Sequence, residues 1–362
     1  MIQKIIVFSL VLFSFVSCIE NLGEFESTQS FYVVNGQITN EYGPHKITLR
    51  NTAYKFELAE LTELNGSQAV IVDDLGQITA LKTIDVGDFL TPDDFRAESG
   101  RSYQIQIVLT NGVKITSAME KLVEAPEVDD FTWEVETREL LGDDNVIYEE
   151  KFVIFKASYC DPEGVDNYYK WDYEGTYEYM AYLSELQWLN YQLDRAIELG
   201  LQNRFCWKKF YGQNTLNIGS DLLYDGSCKD DVIVFERKID EYFQIAAYFE
   251  LIQYGLNANE YKYLSELEKQ LANKGTIFET GNYQINGNLT IESSEDLVLG
   301  YFGVRAVSKT NAFITAVEVE YTHSYESCIA EGFNPTLPNY CFDCRSQGAL
   351  STENLRPDYW PR

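Results

Sequence analysis

Histidine is scarce. His45 and His323 are the only two in 362 residues and stand far apart in sequence. That excludes most Ser–His nucleophiles and His-built zinc sites. The HExxH, P-loop and GxGxxG patterns are absent as well. Basic residues are few, with 28 Lys and Arg against 57 Asp and Glu, for a net charge of −29. Such a surface repels nucleic acid and anionic lipid, and its plainest consequence is solubility. There is no low-complexity tract and no repeat of roughly 20–50 residues. Carboxylates are abundant, but none stands out as a glycosidase-like pair. The expectation is a protein that is not an enzyme, has no cofactor and does not bind nucleic acid.

The N-terminus is the most informative stretch. Lys4 supplies a basic start, residues 5–16 are uncharged and largely apolar, and small residues precede Cys18. This is the layout of a cleaved signal peptide. The apolar run is too short to cross a bilayer, which takes about 20 residues. Phe15-Val16-Ser17-Cys18 resembles a lipobox, with Phe15 in place of the usual Leu. In a lipobox the cysteine thiol receives a diacylglycerol, and further acylation with palmitate-like chains completes the anchor. Two or three chains hold a protein stably at a membrane, whereas one holds it only marginally. Residues 1–17 are therefore expected to be a signal peptide and 18–30 a lipidated, acidic tether.

With Cys18 acylated, six cysteines remain: Cys160, Cys206, Cys228, Cys328, Cys341 and Cys344. An even number in an exported chain points to disulfides, although six cysteines allow 15 pairings. Cys206 with Cys228 is one candidate pair, across a loop rich in Gly, Asn and Asp. Cys328 is expected to join Cys341 or Cys344, leaving Cys160 the remaining partner or a free thiol. The CxxC at 341–344 would also suit half a zinc site or a redox motif, but no second CxxC accompanies it. Asp73-Asp74 and Asp161-Pro162-Glu163 offer clustered hard oxygens that suit Ca²⁺. Turn carboxylates more often cap backbone, so no metal is assigned.

Aromatic residues are plentiful, with 26 Tyr and 21 Phe, and Ala-rich helical stretches are missing. A mainly β chain is expected. In 31–125, short strands and tight turns suggest an immunoglobulin-like β-sandwich. Tyr103, Ile105, Ile107 and Leu109 alternate with polar residues, then Asn111-Gly112 turns the chain back. Residues 126–327 read as a larger β-rich domain with helical insertions. One helix is expected at 177–201, with Tyr177, Trp188 and Tyr191 on an aromatic face that suits a partner. Another should begin at Asn257, with Glu260 closing a capping box. Residues 297–308 and 313–322 suggest a hairpin turning at Thr310-Asn311. Residues 328–362 should form a disulfide-stapled cap.

Several segments together resemble a Bacteroidota lipoprotein family catalogued as a domain of unknown function, number four-two-four-nine. They include Val33-Val34-Asn35-Gly36-Gln37-Ile38-Thr39, Gly100-Arg101-Ser102-Tyr103 and Asp161-Pro162-Glu163-Gly164. Leu299-Gly300-Tyr301-Phe302, Cys341-Phe342-Asp343-Cys344-Arg345 and Arg356-Pro357-Asp358-Tyr359-Trp360 follow in the same order. The resemblance implies an outer-membrane lipoprotein at the cell surface, with no catalytic residues to carry over. It also implies association with a TonB-dependent transporter. The alternative is a structural or envelope-assembly lipoprotein without a nutrient ligand; a glycan- or peptide-acting enzyme is the least favoured reading.

Overall fold

The computed structural model describes residues 31–52, 64–142, 145–181, 205–212, 216–273, 284–292, 297–324, 341, 343–346 and 355–361. In the first part lie β1 (Tyr32–Thr39), β2 (Lys46–Asn51), β3 (Gln68–Asp73), β4 (Ile78–Ala80) and β5 (Lys82–Asp85). There follow β6 (Asp88–Leu90), β7 (Ser102–Val108), β8 (Lys114–Ser117), β9 (Glu120–Lys121), β10 (Val128–Leu141) and β11 (Ile147–Cys160). Then come β12 (Tyr168–Met180), β13 (Phe205–Tyr211), β14 (Asn217–Ser220), β15 (Cys228–Lys238) and β16 (Ala246–Leu256). The helix α1 (Ala258–Asn273), β17 (Leu289–Ile291), β18 (Val298–Arg305) and β19 (Val307–Thr315) complete the order. The protein is mainly β, as its aromatic and β-branched content leads one to expect.

Four sheets pair into two sandwiches. In the first, β18-β1-β2-β6-β5 faces β17-β8-β7-β3-β4. Alternation does the sorting: Tyr103, Ile105 and Ile107 of β7 point inward to meet Val34 and Ile38 of β1 and Ile47 and Leu49 of β2. The architecture is consistent with the immunoglobulin-like reading. Its closure, however, is not local. β18 pairs with β1 in parallel, from Tyr32↔Val298 to Thr39↔Arg305. β17 pairs with β8. Val298, Phe302 and Val304 are core residues of this sandwich although they come late in the chain. Gly300 marks the close approach. Its φ is +95°, and a Cβ there would strike the Val34 carbonyl oxygen.

The second sandwich sets β10-β11-β15 against β13-β12-β16-β19, with β14 also on β12. Its core is aromatic. Phe155, Tyr173, Phe235 and Phe249 stack or tilt together, with ring centroids 3.9 Å apart for Tyr173 and Phe235. The outer face of the β12–β16 sheet is covered at one end by α1, through Tyr261 and Leu264. At the other end Trp360 packs on Trp207, Ala246 and Phe313.

Three sequence expectations change here. Tyr177, Tyr179 and Met180 belong to strand β12 and not to a helix. Trp171, Tyr173, Tyr177 and Tyr179 are all buried at odd positions, the period-two arrangement of a strand. The rest of the expected helix, with Trp188 and Tyr191, lies outside the described residues. Thr310-Asn311 is not a turn: both residues sit within β19 and pair with Leu251 and Glu250 of β16. The last two long strands therefore belong to different sandwiches. The cysteines, finally, pair as Cys160–Cys228 and Cys206–Cys344. Cys206 does not bond Cys228, and Cys160 is not free. The reason is register: Cys160 and Cys228 are direct neighbours across β11 and β15. Cys341 is also disulfide-bonded. Cys328 lies outside the described residues. With Cys344 bound to Cys206, the redox or zinc reading of the CxxC lapses.

The junction between the sandwiches is polar and buried. Asn257 caps α1, accepting from the Glu260 backbone N–H at 2.9 Å. The expected capping box is only half made, because the Glu260 carboxylate is held by Arg305 at 2.6 Å. Asn257 instead donates to Glu120. Glu120 also accepts from Asn288 at 2.9 Å and from Tyr301 at 3.1 Å. Gln253 donates to the Pro126 carbonyl at 2.8 Å, tying β16 to the segment that links the sandwiches.

Candidate functional site

Three places on the second sandwich hold chemistry or surface that the core does not use. The first is the β10–β11 hairpin. Its strands are 14 residues each and pair from Val128↔Tyr159 out to Leu141↔Ile147. Strand β15 accompanies β11 only as far as Phe152↔Lys238. The distal part is thus a two-stranded arm. At its end Leu141 is 67% exposed, Val146 57%, Ile147 64% and Tyr148 44%. Four large apolar side chains are thus grouped and exposed at the tip, and grouped exposure of this kind marks interaction surfaces. Charges line the remainder of the arm, where Arg138 bridges Glu136 and Glu236 at 2.9 Å each. Such charges guard the open edge of β10 against unspecific strand pairing.

The second place is a groove of about 470 Å³ on the outer face of the β12–β16 sheet, beside α1. Lys170, Asp172, Tyr211, Ile252, Tyr254 and Leu267 are among its walls. Its size falls in the range of small-ligand sites. Burial lowers the Lys170 ammonium below its ordinary pKa and Arg305 adds to the effect, while Asp172, in contact at 2.5 Å, opposes it.

The third is a group of carboxylates at one end of this sandwich. Asp161 follows β11, and Asp221 and Asp225 lie in the connection from β14 to β15. One oxygen from each lies within 4.8 Å of the others. Asp161 accepts from the Tyr169 hydroxyl and from the Gly226 N–H at 3.1 Å. Asp225 accepts from the Gly164 N–H at 2.8 Å, and Asp221 Oδ2 from the Asn167 N–H at 2.8 Å. The Cys160–Cys228 disulfide sits next to Asp161 and close to Asp225 in sequence, fastening the strand ends that present them.

The sequence-predicted residues fare unequally. Cys18 lies outside the described residues. Tyr177 is buried against Tyr179, Phe210 and Tyr242, so it faces the core and not a partner. Asp73 and Asp74 are both ion-paired with Arg101, at 2.6 Å each, and Asp73 caps the turn at Leu75 and Gln77. They do not make a cation site. Asp161 does gain carboxylate company, although from Asp221 and Asp225 and not from Glu163. Those two were missed because they are 60 residues or more away along the chain; the Asp225-Gly226 turn was visible only as a loop. The two histidines lie in different sandwiches. Burial lowers the pKa of each, which keeps them neutral near pH 7.

Fold and surface together define a disulfide-stapled double β-sandwich whose first sandwich is completed by strands from late in the chain. Among the described residues no helix is long and apolar enough to cross a membrane. The chain belongs to the family described as Domain of unknown function (DUF4249), which matches residues 21–311. The match spans both sandwiches as far as Asn311 in β19; the C-terminal segments noted in the sequence, 341–345 and 356–360, fall beyond it. No curated protein matches the sequence.

Proposed function

We propose that this protein is an outer-membrane lipoprotein of the cell surface, anchored through Cys18, that serves as an accessory or ligand-capture subunit of a TonB-dependent transporter complex. The observation that carries the reading is the apolar tip of the β10–β11 arm. A chain with this much negative charge keeps Leu141, Val146, Ile147 and Tyr148 exposed together only where another surface covers them. The lipobox-like end and the disulfides support export, and the groove beside α1 offers room for a small ligand. Two sandwiches joined by a buried polar junction make a firm platform for such an arm. The role proposed is binding.

The test is fractionation with a gentle-detergent pull-down from native membranes. Wild-type protein should partition with membranes and bring a TonB-dependent transporter with it. Cys18→Ala should release the protein from membranes or leave an uncleaved precursor. A mutant that stays membrane-bound, cleaved and carbonate-resistant refutes the anchor. Recovery of envelope-assembly machinery with no transporter favours the structural alternative.

A further inference from the structure

We propose that Asp161, Asp221 and Asp225 form a Ca²⁺ site in the second sandwich. This is independent of the transport reading. Three carboxylates have one oxygen each within 4.8 Å of the others. Two oxygens on opposite sides of a Ca²⁺ ion, each at about 2.4 Å, are about 4.8 Å apart, so the group spans one ion. Proximity of acids alone does not make a site. The second observation is at Asp221, which is 0% exposed. Its Oδ2 accepts from the Asn167 N–H. Its Oδ1 is buried and has no hydrogen-bond partner. Asp221 thus brings to the acid group a carboxylate with a buried oxygen that no donor serves. A buried carboxylate oxygen without a donor or cation is strongly disfavoured.

Among the described residues no cationic side chain pairs with the three acids, although Asp73, Asp74, Asp88 and Glu260 each have such a partner. The donors that do reach the acids are neutral: the Tyr169 hydroxyl and the N–H groups of Gly226, Gly164 and Asn167. They orient the carboxylates and leave their remaining lone pairs for a cation. The ligand set is all oxygen, without Cys or His, which selects a hard ion. Three protein carboxylates favour Ca²⁺ over Mg²⁺, which usually keeps several waters and takes one or two carboxylates. Asp161 and Asp221 are buried while Asp225 is exposed, so the site opens to solvent on one side, where water completes the coordination. The ion would join the end of β11 to the β14–β15 connection, beside the Cys160–Cys228 disulfide.

The experiment uses the purified mature chain, stripped with EDTA and returned to metal-free buffer. Calorimetric titration with CaCl₂ should show one ion per chain. At Ca²⁺ about 100-fold above the dissociation constant the melting temperature should rise by about 5 °C. Asp221→Asn and Asp225→Asn should each weaken binding by roughly tenfold or more, whereas the exposed control Asp93→Asn should not. Asp225 is at the surface, so its substitution keeps the test valid if the Asp221 variant misfolds. Absence of heat and of any melting shift up to 10 mM CaCl₂ (about a thousandfold above a typical sensor site) overturns the site. So does an undiminished shift in Asp225→Asn, or Mg²⁺ binding as tightly as Ca²⁺.

Discussion

Glu120 shows how one side chain links charge to stability. It is 4% exposed at the junction of the sandwiches, where it accepts from Asn257, Asn288 and Tyr301. Burial is the largest cause of its raised pKa, and the nearby Glu260 pushes in the same direction. The folded state therefore takes up the proton more readily than the unfolded chain, whose carboxyl titrates near 4.5. Between those two pKa values the folded state holds more protons, so stability falls as pH rises through that window. Glu120→Gln removes the titration. As pH is lowered from 7 toward 4.5, the wild-type melting temperature should gain on that of the variant; parallel curves over the whole range would show that Glu120 has no such role. Nothing in the sequence around Glu120 sets it apart from the many other carboxylates. Its burial depends on Asn288 and Tyr301, more than 160 residues away, and local pattern contains no trace of that.

At the scale of elements, strands with a clear alternation were legible and shared periodicities were not. Tyr103, Ile105, Ile107 and Leu109, followed by Asn111-Gly112, gave β7 and β8 directly. Residues 177–180 were ambiguous because Tyr177, Tyr179 and Met180 suit either a helical or a strand spacing. What decided the matter was the neighbouring strands: β13 and β16 both pair along β12 as far as residues 178–180. α1 was legible from its cap, but the destination of the Glu260 carboxylate was not. The disulfides illustrate the same limit, since strand register selects the partner and loop composition does not. Peptide mapping under non-reducing conditions should recover Cys160 linked to Cys228 and Cys206 linked to Cys344. A Cys206–Cys228 peptide would contradict the register of β11 on β15. Loss of either bond should destabilise the chain by about 2–5 kcal/mol.

For the whole molecule, the decisive feature is that the first sandwich is not continuous in sequence. A division at residue 125 follows the composition and the proline at 126, yet β17 and β18 return to it from beyond residue 288. Val298, Phe302 and Val304 fill its core, and β1 would otherwise leave one edge open. Residues 31–125 expressed alone should therefore fail to unfold cooperatively. A peptide covering 297–306 added in excess should restore part of the transition. A sharp, peptide-independent transition from 31–125 alone would contradict this. The chain thus leaves its first sandwich, builds most of the second with its arm, returns for β17 and β18, and then adds β19 to the second. Parallel pairing over more than 250 residues could not be read from the sequence, because nothing local distinguishes β18 from the hairpin strand expected there.

The arm is where the proposed function meets the fold. Its tip residues contribute little to the core, so polar replacements there should alter binding without altering stability. The most direct measurement is a gentle-detergent pull-down of full-length Leu141→Ser/Ile147→Ser from native membranes, with the melting temperature of the purified variant recorded beside it. The expected result is a melting temperature within about 2 °C of wild type, an effect on the order of 0.5 kcal/mol, together with loss of most of the co-purifying transporter. Retention of the transporter at wild-type yield by a stably folded variant would contradict the proposed function.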